Sequence, residues 1–305
     1  MKLIIQIPCL NEERTLPRTL AELPREVPGF DGVEWLVIDD GSSDGTIEAA
    51  RAGGVDHIVR LTNNKGLAAA FQAGLDAALK LGADVIVNTD ADNQYRASDI
   101  PRLVEPIVAG RADMVVGDRR VRTIEHFSPA KRTLQRLGSW VVRRASGTAV
   151  PDTTSGFRAY NREAALQLQI VNNYTYTLES LIQAGKGLVA VEHIPVATND
   201  PLRDSRLARS TGHYVRRNAL AIFRAYVRHE PLRVFMFAAA FFALAALAAW
   251  SPFLVDFIVN GDRSGHVQSL ILGAVLALAA VQMFALGIIG DALSGQRVMS
   301  QRIFE

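Results

Sequence analysis

Two apolar runs near the C-terminal end constrain this chain most. Val234 to Trp250 carries no charge and is rich in Phe, Ala and Leu, and with a kink at Pro252 it extends to Val259. Val267 to Gly290 is the second, and a polar turn, Asn260 to His266, separates them. As helices, both are long enough to cross a hydrocarbon core of about 30 Å. The expectation is a transmembrane hairpin. Asp256 then belongs near the interface, because a carboxylate at mid-membrane is costly. Arg228 and Arg233 flank the first run, Arg297 and Arg302 follow the second, and the turn between has Arg263 alone. The positive-inside rule therefore puts both termini, and the domain ahead of the hairpin, in the cytoplasm of an inner or plasma membrane protein.

The preceding part of the chain alternates strands and helices. Leu3–Leu10, Glu34–Ile38, His57–Leu61, the apolar run that starts at Val85 and ends at Asp90, Asp113–Gly117 and Val189–Val196 read as strands. Helices are expected from Asn11, as N-cap, to Leu23, with Glu12 and Glu13 in the first turn, and over Leu67–Leu79, Ser98–Ala109 and Tyr174–Ala184. This is the pattern of a mostly parallel, doubly wound α/β sheet. The segment Pro151–Tyr160 reads as a loop that Phe157 and Tyr160 tie to the core. Net charge is +2 over 305 residues, so no global field argues for nucleic acid. Cys9 is the sole cysteine, which excludes an intramolecular disulfide.

Three strands end in acid, at Asp39, Asp90 and Asp118, and ligands of open α/β sheets bind at that end. After Val85–Asn88 comes Thr89-Asp90-Ala91-Asp92-Asn93-Gln94. In extended backbone, residues two apart face the same side, so Asp90 and Asp92 can serve one ligand. Mg²⁺ or Mn²⁺ would relieve their mutual repulsion, whereas a solvated acidic turn is the plainer reading of two acids alone. Lys65, just ahead of a helix N-terminus, suits an anion or simply water. Ser43, Asp44 or Thr46 can cap the helix after Gly41–Gly45. Ser128–Ala145 interleaves Lys131, Arg132, Arg136, Arg143 and Arg144 with Leu134, Leu137, Trp140 and Val141, as a membrane-interface helix would. Thr211–His229 is amphipathic in the same manner. The expected domains are 1–210, an interfacial segment 211–232, and the hairpin with a short tail, 233–305.

Taken in order, Ile7-Pro8-Cys9-Leu10-Asn11-Glu12-Glu13, Val37 to Thr46, Asn64-Lys65-Gly66, Asp90 to Gln94 and Asp152-Thr153-Thr154-Ser155-Gly156-Phe157-Arg158 closely resemble the family 2 glycosyltransferases of GT-A fold. Among these the chain is similar to the polyprenyl-phosphate glycosyltransferases, relatives of dolichyl-phosphate mannose synthase. The resemblance implies an inverting hexosyltransferase that moves a sugar from a UDP- or GDP-sugar to undecaprenyl or dolichyl phosphate. It implies that Pro8, Leu10, Glu12, Asp39 or Asp40, Lys65, Asp90 and Arg206 bind the nucleotide sugar. Asp90, Asp92 and Gln94 would hold Mg²⁺ or Mn²⁺. Arg119, Lys131, Arg132 and Arg203 would grip the acceptor phosphate, and Asp92 and Asp152 would be catalytic. The late motif reads Arg203-Asp204-Ser205-Arg206, where the family has a Gly-x-Ser-Lys-like core. Hairpin-bearing relatives suggest a homo-oligomer. The alternatives are a family member with another lipid or glycan acceptor, and a non-catalytic membrane-anchored scaffold. Gln135 to Trp140 does not fit the Gln-x-x-Arg-Trp motif of processive synthases, and intact Asp40, Asp90, Asp92 and Gln94 argue against the scaffold.

Overall fold

The computed structural model describes residues 1–120, 140, 142–144, 146–170, 176–187, 189–200, 223, 224, 227, 230–260 and 266–303, with the backbone alone at 260 and 294–303. Residues 1–223 and 224–305 form two compact units.

In the first unit, β1 (Lys2–Cys9) is buried on both faces because its sequence, KLIIQIPC, is apolar almost throughout. Leu3, Ile5 and Ile7 enter one core with Val85 and Val87, while Ile4 enters the other with Leu36 and Ile86. That division is the two-residue alternation of a strand. The other strands are β2 (Gly32–Asp39), β3 (His57–Arg60), β4 (Val85–Asn88), β5 (Met114–Asp118), β6 (Arg158–Asn161) and β7 (Val191–Pro195). Their order in the sheet is β3-β2-β1-β4-β6-β5-β7. Helices α1 (Leu16–Glu22), α2 (Thr46–Ala52) and α4 (Ile100–Val108) cover one face through Leu16, Leu20, Ala50 and Leu103. Helices α3 (Leu67–Lys80), α5 (Arg162–Gln167) and α6 (Tyr176–Lys186) cover the other through Phe71, Leu75, Ala165 and Leu181. This is the expected mostly parallel α/β sheet.

Two local expectations fail. Helix α1 begins at Leu16, not after Asn11; Thr15 is its N-cap and Pro17 lies in its first turn, where proline's fixed φ suits a helix start. Asn11 instead takes a left-handed conformation, φ 54°, which asparagine tolerates. Residues 158–161, expected in a loop, form β6, which runs antiparallel to both β4 and β5. Its short run Arg-Ala-Tyr-Asn has no apolar periodicity to announce a strand. Because β6 is reversed, the loop before it lies at the edge where β1, β2, β4 and β5 end.

The second unit holds α7 (Pro231–Val255), a π-helical turn at Asp256–Asn260, and α8 (Val267–Ile303). Two stretches, Pro231–Val259 and Val267–Leu293, are long and apolar enough to cross a membrane. Within this unit the Trp250 indole donates to Leu270 O at 3.2 Å, and a Cβ on Gly273 would overlap that ring. Small residues allow such close helix contacts in lipid. At the tip, His266 Nε2 lies 2.5 Å from Asp256 Oδ2. Within Ser128–Ala145 and Thr211–His229 only residues 140, 142–144, 223, 224 and 227 are described, and all are helical.

Candidate active site

Strands β1, β2 and β4 deliver three turns to one edge. The first two are stitched together: Asn11 N donates to Ser42 Oγ at 2.9 Å, Ser43 N donates to Asn11 Oδ1 at 2.8 Å, and Glu12 N donates to Thr46 Oγ1 at 2.9 Å. Asn11 is thus a brace between turns rather than a helix cap. Pro8 is buried there and Leu10 half-buried.

The adjacent aspartates divide their work. Asp40 accepts the Lys65 and Gly66 amides at 2.7 and 2.9 Å, fixing the start of α3, and the Lys65 side chain is exposed. Asp39 is fully buried, and its Oδ1 accepts from Ser42 N at 2.9 Å. Asp39 Oδ2 makes no hydrogen bond among the described residues, and Arg60 Nε stands 3.5 Å away. With no hydrogen bond of its own and an exposed Arg60 as its ion-pair partner, Asp39 Oδ2 is the member of the pair that can still accept from a ligand's donor.

After β4, Asp90 is half-buried and Asp92 sits two residues on. Burial, then the neighbouring Asp92, pushes the Asp90 carboxyl up to about 7. The loop is held from behind. Gln94 N donates to Asp92 Oδ1 at 3.2 Å, and Thr19 Oγ1 donates to Ala91 O at 2.9 Å. Asn93, left-handed at φ 57°, donates to Glu22 Oε1 at 2.8 Å. Asn199, just beyond β7, donates its backbone N–H to Gln94 O at 2.9 Å and its side chain to Asn93 O at 3.0 Å. Among the described residues no group of three His, Cys, Asp or Glu side chains could hold a metal. Two crowded carboxylates still fit Mg²⁺ or Mn²⁺, hard cations that bind through one or two carboxylates and complete their shell with substrate phosphate and water.

The loop before β6 closes the site. Arg119, at the end of β5, donates from Nε to Asp152 Oδ2 at 2.7 Å and from Nη2 to Asp152 Oδ1 at 3.0 Å. Nη2 also reaches Thr154 Oγ1 at 2.9 Å. Burial works to raise the Asp152 carboxyl, but Arg119 overrides it and holds the group below the ordinary aspartate value. Gly156 N donates to the Tyr95 hydroxyl at 2.9 Å, and Gly156 O accepts from Asn88 Nδ2 at 2.8 Å. Tyr95 stacks on Phe157, centroids 5.0 Å apart, and burial pushes its hydroxyl up to about 12.

Asp39, Asp90, Asp92, Arg119 and Asp152 thus share one edge of the sheet. Lys131, Arg132, Arg203 and Arg206 lie outside the described residues. Asn88, Tyr95, Arg158 and Asn199 also support the site. Their signals in the sequence are a polar Asn88 closing an otherwise apolar strand and Arg158 ending the Asp152–Arg158 motif.

A sheet of this order, with an acidic pair after its fourth strand, gathers the candidate site at the edge where its parallel strands end. The family model "Glycosyl transferase family 2" matches residues 4–168, more than half of the chain, and the chain belongs to that family. It is a glycosyltransferase. A second model, "GtrB C-terminal hairpin", matches residues 230–295, and with the two apolar helices it marks the chain for membrane association. An undecaprenyl-phosphate mannosyltransferase of Micrococcus luteus is 33% identical over 184 residues, covering 58% of this chain and 74% of that one. A polyprenol monophosphomannose synthase of Mycolicibacterium smegmatis is 29% identical over 224 residues, covering 70% and 82%. The solved glucosyl-3-phosphoglycerate synthase of Mycobacterium tuberculosis, in complex with Mn²⁺, UDP and glucosyl-3-phosphoglycerate, superposes with a TM-score of 0.57 at 25% identity, covering 73% of this chain and 79% of that one.

Proposed function

We propose that this glycosyltransferase moves a sugar from a nucleoside diphosphate sugar to a polyprenyl phosphate, with Mg²⁺ or Mn²⁺ at Asp90 and Asp92. The observation that carries the reading is the meeting of Asp90 with the Arg119–Asp152 pair, in a chain that also bears an apolar hairpin. Asp39 Oδ2, which makes no hydrogen bond among the described residues, suits a donor on the nucleoside base. The cation, when bound, neutralises charge on the leaving diphosphate. Asp90 and Asp92 orient it, and the loops behind them keep those carboxylates fixed before the donor arrives.

The acceptor phosphate is already an anion, so no general base has to remove a proton from it. Arg119 supplies positive charge beside the reacting centre, and Asp152 holds its guanidinium in one orientation. Lys131, Arg132 and Arg203 are the further candidates for the acceptor phosphate, and Arg206 for the donor diphosphate. The hairpin would hold the chain at the bilayer that contains a prenyl lipid, with both termini cytoplasmic. The relatives from Micrococcus and Mycolicibacterium, named for undecaprenyl phosphate and polyprenol, support the acceptor class. The UDP and Mn²⁺ of the Mycobacterium tuberculosis structure support the donor class and the cation.

The test uses the full chain in nanodiscs with undecaprenyl phosphate, Mn²⁺ or Mg²⁺, and a panel of UDP- and GDP-sugars. The expected result is a lipid product heavier by one sugar with at least one donor, lost with EDTA. No product with any donor, while a soluble phosphate acceptor is glycosylated, would overturn the acceptor assignment.

A further inference from the structure

Arg158 is the largest fully buried side chain among the described residues, with 0% exposure. It lies on β6 in the middle of the sheet, paired across from Asn88 on one side and Val116 on the other. Its guanidinium donates to three neutral oxygens: Nε to Ser155 O at 2.8 Å, Nη2 to Thr153 O at 3.0 Å, and Nη1 to Ser180 Oγ at 2.7 Å. Among the described residues no carboxylate hydrogen-bonds to it, and Asp90 is near enough to feel its charge. A buried cation with no hydrogen-bonded counter-ion is costly, and a sheet interior is more stably filled by apolar side chains. An arginine kept there has a task that its charge and its planar fork perform.

The bonds themselves point to the task. Thr153 O and Ser155 O are alternate carbonyls of one loop, and the residues that alternate with them meet the site. Asp152 pairs with Arg119. Thr154 Oγ1 donates to Asp152 Oδ1 at 3.0 Å and accepts from Arg119. Gly156 packs against Asp90. Ser180 fixes the far end of the fork and itself donates to Tyr176 O at 2.7 Å on α6. We infer that Arg158 is a positioning residue: from within the sheet it clamps alternate carbonyls of the 152–156 loop, setting the Arg119–Asp152 pair and the backbone wall beside Asp90. Lysine keeps the charge but has no rigid fork to span two carbonyls.

The kinetic part of this inference rests on the proposed reaction; the clamp itself does not. The test compares wild type, Arg158→Lys, Arg158→Gln and Ser180→Ala as full chains in nanodiscs. Two quantities are read: hydrogen exchange of the 152–157 amides, and kcat and KM for the donor and for undecaprenyl phosphate. Both Arg158 variants should speed exchange of those amides by about tenfold or more. They should lower kcat by about 10²-fold, the loss expected from a misplacement of about 1 Å, and raise KM for the lipid more than for the donor. Ser180→Ala should show the same pattern more weakly, and it decides the matter if the Arg158 variants do not fold. Unchanged exchange at 152–157 overturns the clamp. A lower melting temperature with kcat and both KM values unchanged per folded molecule assigns Arg158 to stability alone and overturns its role in positioning. If wild type transfers no sugar to the lipid, the proposed reaction fails, and the exchange measurement still decides whether Arg158 holds the loop.

Discussion

Gly156 lies so close to Asp90 that a Cβ built on it would stand 3.1 Å from Asp90 Oδ1, 3.2 Å from Oδ2, and 2.7 Å from the Tyr176 hydroxyl. The wall beside the first aspartate is therefore bare backbone, pinned on both sides by Tyr95 and Asn88. Gly156→Ala should push that wall outward. The expected cost is about 1–3 kcal/mol of stability, as for other overpacked sites, with a fall in kcat of about tenfold or more as Asp90 is displaced. Thermal unfolding and steady-state kinetics check both parts, and a fully active, fully stable variant contradicts the geometry.

The raised Asp90 carboxyl makes stability depend on pH in a defined direction. Its value in the folded protein is about 7, against about 3.9 in an unfolded chain. Between those values the folded state holds a proton that the unfolded state has released, so stability falls as pH rises. Asp90→Asn removes that cost. In metal-free protein it should raise Tm at pH 8 by a few degrees, for a gain on the order of 1 kcal/mol. Near pH 4 the gain should vanish. A variant equally stabilised at pH 4 and pH 8 contradicts the assignment.

With two protein carboxylates at the cation site, affinity for metal should depend on the diphosphate. Calorimetry of the full chain should find weak binding of Mn²⁺ alone and tighter binding by about tenfold or more with UDP present. Asp92→Ala should abolish that enhancement. Equal affinity with and without UDP would show that the cation does not bridge protein and nucleotide.

The Arg119–Asp152 pair is buried, with side chains 13% and 2% exposed. Breaking it from one side leaves a charge without its partner. Arg119→Met or Asp152→Leu alone should each cost about 3–5 kcal/mol, and the double variant much less than their sum. Because Asp152 titrates below its ordinary value, the pair's contribution is present above about pH 4 and is lost as pH falls through the folded value. Denaturant titrations of the four proteins at pH 7 measure the coupling.

The alternation of apolar strands with amphipathic helices was legible from residue pattern alone, since β1, β2, β4 and β5 are runs whose burial the local sequence dictates, and the half-buried β3 and β7 still carry apolar residues that pack on the core. The hairpin was legible for the same reason, because length and apolarity decide it. Strand β6 was not. Its four residues acquire their conformation from β4 and β5, which are distant in sequence, and a buried Arg158 looks like a surface residue until those neighbours are in place. Asn11 was misread because its side chain serves Ser43, 32 positions away, not the helix just ahead. The Asp39–Asp40 pair carried its chemistry in the sequence, but which member is occupied by the 63–66 turn depends on a tertiary contact.

The reversed course of β6 has a consequence for how this enzyme could change. The chain leaves the sheet at Arg119 and returns through Asp152 at the same edge, and these two residues, 33 positions apart, clasp each other. The clasp fixes where the chain leaves and re-enters this edge, and the entropy of closing a loop between two such points grows only slowly with its length. The return is also packed: Val142 and Val150 are buried in the core with Leu181, and a Cβ on Gly185 would overlap Ser146 O. A stretch taken from a relative in place of residues 120–151 should therefore leave the sheet and the Asp90 loop intact only where it keeps those contacts.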